Sequence, residues 1–162
     1  MKQQRSVLKR IMNFSVLLMA AGIFSFTSCN DEDNPAADNS YELSGNASGA
    51  QVSPAVSSTA TASLTGSYNS ATNIMQYNVT WTGLAVAADS VALYGPADAG
   101  ANGSFIGKLT ITTPGVNGTA SGSAQLTEDE EADLLANKWY YSIQNATYMN
   151  GEIRGQVLTT KD

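Results

Sequence analysis

From Tyr41 onward, apolar and polar residues alternate with a period of two. In "IMQYNVTWT", Met75, Tyr77, Val79 and Trp81 fall on one face and Gln76, Asn78, Thr80 and Thr82 on the other, as a strand with one buried face requires. "TATASLTGSY" places Ala60, Ala62, Leu64 and Tyr68 together, "KLTIT" sets Leu109 and Ile111 against Lys108, Thr110 and Thr112, and "TASGSAQL" repeats the scheme with Ala120, Ala124 and Leu126. Between these runs lie "YNSATN", "GPADAGANGS" and "TPGVNG", rich in residues that favour turns. The spacing predicts some eight short strands in an antiparallel sandwich or barrel that buries one face.

One segment departs from the period. In "LTEDEEADLLANK", Thr127 is a candidate N-cap with Glu130 three residues on, which is the spacing of a capping box. Acids fill the first turn, and Asn137 and Lys138 stand at the end, in keeping with the helix dipole. A short helix is predicted near 128–137. Its carboxylates lack the loop spacing of a calcium hand, so they read as a solvated helix start.

Composition supports an extracytoplasmic β-protein: 8% of the residues are aromatic and 14% charged, with a single cysteine and no histidine. The bases of "MKQQRSVLKR" precede the 16-residue apolar run "IMNFSVLLMAAGIFSF", and "FTSC" follows, ending at Cys29. The apolar run is short for a membrane span and suits a signal peptide. "FTSC" resembles the lipobox of bacterial lipoproteins, with Phe26 in place of the usual Leu. That resemblance implies cleavage after residue 28 and lipid on Cys29. Several acyl chains at about 0.8 kcal/mol per buried methylene would then hold the chain at a membrane.

Residues 29–40 read as the lipidated start and an acidic flexible tether. "NDEDNPAADNS" reaches roughly 35 Å when extended. The acidic run also resembles a surface-export signal of some Gram-negative lipoproteins, and an ordinary solvated linker reads equally well. All 14 acids but only four of the eight bases follow Cys29, so the processed chain carries a net charge of −10. Such a surface repels nucleic acid.

The order of motifs in 41–158 resembles the CHRD domain, named for chordin. It runs from "LSG" and "AQVSPAV" through "SVALYGPA", "GTASGSAQLT" and the acidic helix to "WYYSIQNATYMNGEIRGQV", with 159–162 left as a tail. The resemblance implies an all-β, immunoglobulin-like barrel related to copper/zinc superoxide dismutases, with no general biochemical function attached. Members commonly carry His-x-His-Gly-Pro and a further His before "GEIRGQ". Here Ala92, Tyr94 and Gln144 hold those positions. Alanine offers no donor, and tyrosine and glutamine are poor ligands for zinc or copper. Dismutase-like chemistry is therefore not expected, nor is any metal or cofactor.

Enzyme readings find little support. No Ser–His dyad is possible without histidine, no phosphate-binding loop precedes a helix, and the spacing of Glu42, Asp89, Asp98 and Glu152 suggests no acid–base pair. The candidate site is a polar cluster of Gln51, Tyr94, Tyr140, Gln144, Glu152 and Arg154. It is read first as a structural clamp in which Arg154 serves Glu152, a neighbouring strand or nearby carbonyls. The other reading is a ligand site.

The expected protein is a non-catalytic outer-membrane lipoprotein of the cell envelope. It acts by binding a protein or glycan, or as part of a surface assembly. The alternative is a carbohydrate-binding accessory of a glycan-uptake system, with Tyr94, Tyr140 and Tyr148 stacking on sugars. Asp89-Ser90-Val91 also resembles a short O-glycosylation motif.

Overall fold

The computed structural model describes residues 39–162; the leader, Cys29 and nearly all of the tether lie outside them. Ten strands follow in order: β1 Ser40–Ser48, β2 Thr61–Asn69, β3 Ile74–Thr82, β4 Ala88–Gly95, β5 Ser104–Lys108, β6 Thr110–Thr113, β7 Gly118–Gln125, β8 Tyr140–Asn145, β9 Ile153–Gln156 and β10 Leu158–Lys161. A 3-10 turn occupies Gly49–Gln51, and the helix α1 spans Glu128–Leu135. All pairings are antiparallel. The strands form one sheet in the order β5-β4-β8-β9-β1-β2-β3-β7-β6, with β10 also on β1.

The sheet nearly closes on itself because two chain segments serve two partners each. β5 and β6, at the two ends of the path, are separated by Leu109 alone, whose amide donates to the Val91 carbonyl at 2.9 Å. β9 and β10 are likewise separated by Val157, whose amide donates to Trp139 O at 2.8 Å. Both hinge residues are buried. The count is therefore ten strands where the periodicity predicts about eight: two extended runs each change partner midway. This near-closure leaves little unpaired edge.

The alternation settles which face is inside. Along β3 the burial pattern is strictly alternate, with Met75, Tyr77, Val79 and Trp81 buried. Leu64 and Tyr68 from β2, Val91 and Leu93 from β4, and Ile143 from β8 join the same core. Each such side chain contributes roughly 1.5–3 kcal/mol when fully buried. The buried core lies between Leu43 and Val157, but the expected tail 159–162 is corrected: Leu158–Lys161 forms β10 and pairs with β1, so the folded unit runs from β1 to β10.

The helix forms for local reasons. Thr127 accepts from Glu130 N at 3.4 Å, and the Glu130 carboxylate accepts from Thr127 N at 2.8 Å, which completes the capping box. Asn137 ends it with φ +57°, the left-handed conformation that asparagine tolerates. Leu134 docks the helix on the core.

Candidate functional site

The stretch around "GEIRGQ" is positioned by two glycines. Gly151 has φ +111°, and a side chain there would strike the Ser142 hydroxyl. At Gly155 a Cβ would lie 2.7 Å from the Tyr141 ring and 2.8 Å from Asn46 O. Tyr141 needs that space: its ring passes over β9 at Gly155, so that its hydroxyl donates to Gly45 O on β1 at 3.0 Å, and burial raises its pKa above the usual phenol value.

Glu152 precedes β9 and does not share an ion pair with Arg154. The only ion pair among the described residues joins Lys138 to Asp98 at 3.9 Å, on the surface. Of the partners expected for Arg154, Glu152 is therefore corrected and the nearby carbonyls are found: Glu152 lies in the bend before β9, while Arg154 lies within the strand, so the two do not share a strand face.

The Glu152 carboxylate, 1% exposed, accepts from Ser58 Oγ at 2.7 Å and from Ala85 N at 3.0 and 3.1 Å, and also from Asn145 Nδ2. Asn145 Oδ1 in turn accepts from the amides of Thr147 and Tyr148. One carboxylate thus ties together the loops 52–60, 83–87 and 146–151.

Arg154, 2% exposed, lies on the outer face of the sheet, opposite Ser142 of β8 and Ser48 of β1. Its guanidinium donates to Ala101 O at 2.6 Å, Asp98 O at 3.3 Å and Gln156 Oε1 at 3.4 Å. It also sits 3.6 Å from the centre of the Tyr140 ring, an attractive cation–π arrangement. Burial draws its pKa below the ordinary arginine value. Gln156 adds bonds to Ala97 O and Asn137 O, and Tyr140 OH accepts from Gly103 N. The loop 96–103 is thereby held against the sheet, which explains why β8 is buried on both faces.

A groove of about 480 Å³ lies beside this loop, lined by Tyr94, Asn102, Tyr140, Gln144, Asn150 and Arg154 together with Ser53 and Pro54. Of the predicted cluster, Tyr94, Tyr140, Gln144 and Arg154 come together here. Gln51 lies outside this groove, in an adjoining cleft that also reaches Arg154, and its amide donates to Asn46 O. Glu152 does not line the groove. Asn102 and Asn150 are lining residues that sequence reasoning missed. Each precedes a glycine in a turn, and nothing in that signal separates a turn residue from a ligand contact.

The three tyrosines do not form one platform. Tyr94 stacks on Tyr140 with centroids 5.3 Å apart, while Arg154 covers the ring of Tyr140 as well. Tyr148 does not line the groove; it lies with Met149 and Val56 in an adjoining cleft that shares Val52, Ser53, Pro54 and Asn150 with it. Stacking of sugars on all three is corrected accordingly, and Tyr94 remains as the aromatic wall of the groove.

The positions where the family carries histidine do converge. Ser90, Ala92 and Tyr94 of β4 pair with Gln144, Ser142 and Tyr140 of β8, and Gln144 Nε2 donates to Tyr94 OH at 2.8 Å. A methyl, a hydrogen-bonded phenol and an amide do not fit a metal ion. Among the described residues, no three His, Cys, Asp or Glu side chains are placed to hold one. The four candidate acids are dispersed: Glu42 on β1, Asp89 at the start of β4, Asp98 exposed beside Lys138, and Glu152 buried. The Ser90 hydroxyl is buried without a partner, so the folded domain does not present it for glycosylation.

Fold and site together define an all-β module with a polar groove in which Arg154 is the one charged lining residue. The sequence profile of the CHRD domain matches residues 43–157, and the chain belongs to the CHRD family. No curated protein and no solved structure matches it.

Proposed function

We propose that the chain is a lipid-anchored module of the cell envelope that acts by binding, or within a surface assembly, rather than by catalysis. The groove beside the loop 96–103 carries this reading. Its walls are fixed in advance by Arg154, Gln156 and Tyr140, and such preorganisation lowers the cost of binding. Its one charged side chain is already committed to backbone carbonyls, which leaves amides and a phenol to meet the ligand. Lipid on Cys29 and the acidic tether would hold this module at a membrane. Cys29→Ser should leave the precursor uncleaved and without acyl mass; mass spectrometry showing a processed mutant identical in behaviour to wild type would refute the anchor.

The second reading is a carbohydrate-binding accessory of a glycan-uptake system. It is favoured by the groove chemistry: Asn102, Gln144, Asn150 and Tyr94 suit an uncharged, hydroxyl-rich ligand. The test is a glycan array probed with residues 39–162 and with Asn150→Ala and Gln144→Ala. Binding that falls roughly tenfold in both variants, as the loss of polar anchors in a desolvated groove predicts, supports the glycan reading. Binding that neither change affects removes the groove from it.

A further inference from the structure

The rings beside the groove form a row across neighbouring strands. Phe105 of β5 stands opposite Tyr94 of β4, and Tyr94 stands opposite Tyr140 of β8. Arg154 of β9 closes the row over the ring of Tyr140. Tyr140 is buried between its neighbours, and Tyr94 is half-buried between Tyr140, stacked at 5.3 Å, and Phe105, which meets it at 5.9 Å and 78°. Phe105 ends the row in the open. It is 57% exposed, the one exposed aromatic residue among the described ones.

A bulge puts Phe105 there. β4 and β5 pair at Ala92–Lys108 and Leu93–Gly107, then slip by one, so that Tyr94 meets Phe105 and not Ile106. A slip of one residue exchanges the faces of a strand. In unbroken register Ile106 would stand outside beside Tyr94, and Phe105 would point to the core. Instead Ile106 packs on the core, and the larger apolar side chain is the one left in water, against the hydrophobic preference.

We propose that Phe105 is the stacking platform of the groove, and that the ligand is a neutral oligosaccharide with one ring held in the groove and the next laid on Phe105. The two neighbouring surfaces identify the ligand class together. In the groove, the side-chain amides of Asn102, Gln144 and Asn150 offer both donors and acceptors, as a rim of hydroxyls requires. Phe105 offers an apolar ring whose face is electron-rich, which suits the polarised C–H bonds on one face of a pyranose. A sugar ring carries both features at once: hydroxyls round its edge and C–H bonds on its faces. The two subsites are contiguous, because Tyr94 lines the groove and also packs on Phe105. Polyanionic chains are disfavoured, since residues 39–162 hold ten acids and four bases, a net of −6. The inference rests on the carbohydrate reading above and deepens it with a second subsite and a minimum ligand length.

The test titrates residues 39–162 by calorimetry with neutral oligomers of glucose, mannose and galactose and with the corresponding single sugars. An oligomer is expected to bind more tightly than its monomer. Phe105→Ala should weaken the oligomer roughly tenfold, as the loss of an aromatic anchor predicts, and leave the monomer unchanged. Phe105→Trp should keep or improve oligomer binding. Because Phe105 is exposed, the urea midpoint of Phe105→Ala should stay near wild type, so that lost binding is not lost fold. Phe105 is also the only phenylalanine of residues 39–162. With phenylalanine protonated in an otherwise deuterated protein, saturating its ring protons should pass magnetisation to the C–H protons of the bound sugar. If Asn150→Ala weakens the oligomers and Phe105→Ala does not, the platform is overturned and the groove reading stands. If no sugar of the panel binds, the platform and the carbohydrate reading fall together.

Discussion

Glu152 and Arg154 stand two residues apart and are both almost completely buried, yet they organise different regions of the barrel. Glu152 turns into the end of the barrel, where its partners are donors: a hydroxyl, a backbone amide and a side-chain amide. Arg154 turns outward, where its partners are two backbone carbonyls, the Gln156 amide oxygen and an aromatic face. A buried charge need not be neutralised by an opposite one. Oriented dipoles from several segments suffice when enough of them converge, and they fix those segments in return. The "GEIRGQ" stretch is therefore two clamps set back to back. One fixes the loops at the barrel end, and the other fixes the wall of the groove.

The most disruptive way to break this pair of clamps is Glu152→Ala. It strands Ser58 Oγ, Ala85 N and Asn145 Nδ2 in a site that is 1% exposed. A buried donor without an acceptor costs about 1–3 kcal/mol, so a loss of about 3–5 kcal/mol is expected after partial relaxation, a large share of a small domain's stability. Urea unfolding of residues 39–162, followed by Trp81 and Trp139 fluorescence, measures it. Amide exchange should rise at Ala85 and Tyr148 and stay unchanged at Gly103. A midpoint equal to wild type would show that Glu152 clamps nothing.

Arg154→Ala should cost less, about 2–3 kcal/mol. Hydrogen bonds to a charged group are worth about 1.5–3 kcal/mol, but the acceptors left behind are carbonyls, which tolerate partial satisfaction better than amides do. The loop that carries them is also on the outside, within reach of water. Here exchange should rise at Gly103 and not at Ala85, the reverse of the Glu152 pattern. Arg154→Lys retains the charge but not the plane that lies on Tyr140, so it should recover only part of the loss. Full recovery by Lys would show that charge alone holds the loop.

The legible parts of the structure were those whose causes are local or periodic. β3 alternates strictly because one face meets the core and the other meets water. The helix is announced by Thr127 and Glu130, whose bonds close within three residues. The convergence of Tyr94 and Gln144 followed from their place in the family's motif. The partners of Glu152 and Arg154 were not legible, because Ala85 N, Asp98 O and Ala101 O are backbone groups that any residue would supply. Nor did the sequence separate Tyr148 from Tyr94 and Tyr140, since Tyr148 sits in the loop between β8 and β9 while the other two stand on paired strands. The partner changes at Leu109 and Val157 leave no mark either, for a residue crossing between strands is as apolar as one within a strand.

The smallest effect expected is also the most discriminating. A double-mutant cycle over Glu152→Ala and Arg154→Ala measures the energy by which the two residues depend on each other. If they acted as one buried ion pair, removing either would leave the other charge unpaired at about 3–5 kcal/mol. The second removal would then restore much of the first loss, giving a large coupling. In the structure they share no hydrogen-bond partner: Ser58, Ala85 and Asn145 belong to Glu152, and Asp98, Ala101 and Gln156 to Arg154. The losses should therefore add to within about 0.5 kcal/mol, as they do for independent sites. Additivity has a structural reason as well, since Ile153 between them is fully buried in the core and holds the backbone whichever side chain is cut. Glu152→Gln in place of Ala sharpens the cycle, because it keeps the shape while turning one acceptor into a donor facing Ala85 N or Asn145 Nδ2. Unfolding of the four proteins in urea supplies the numbers, and a coupling above about 2 kcal/mol would mean that the two clamps are one.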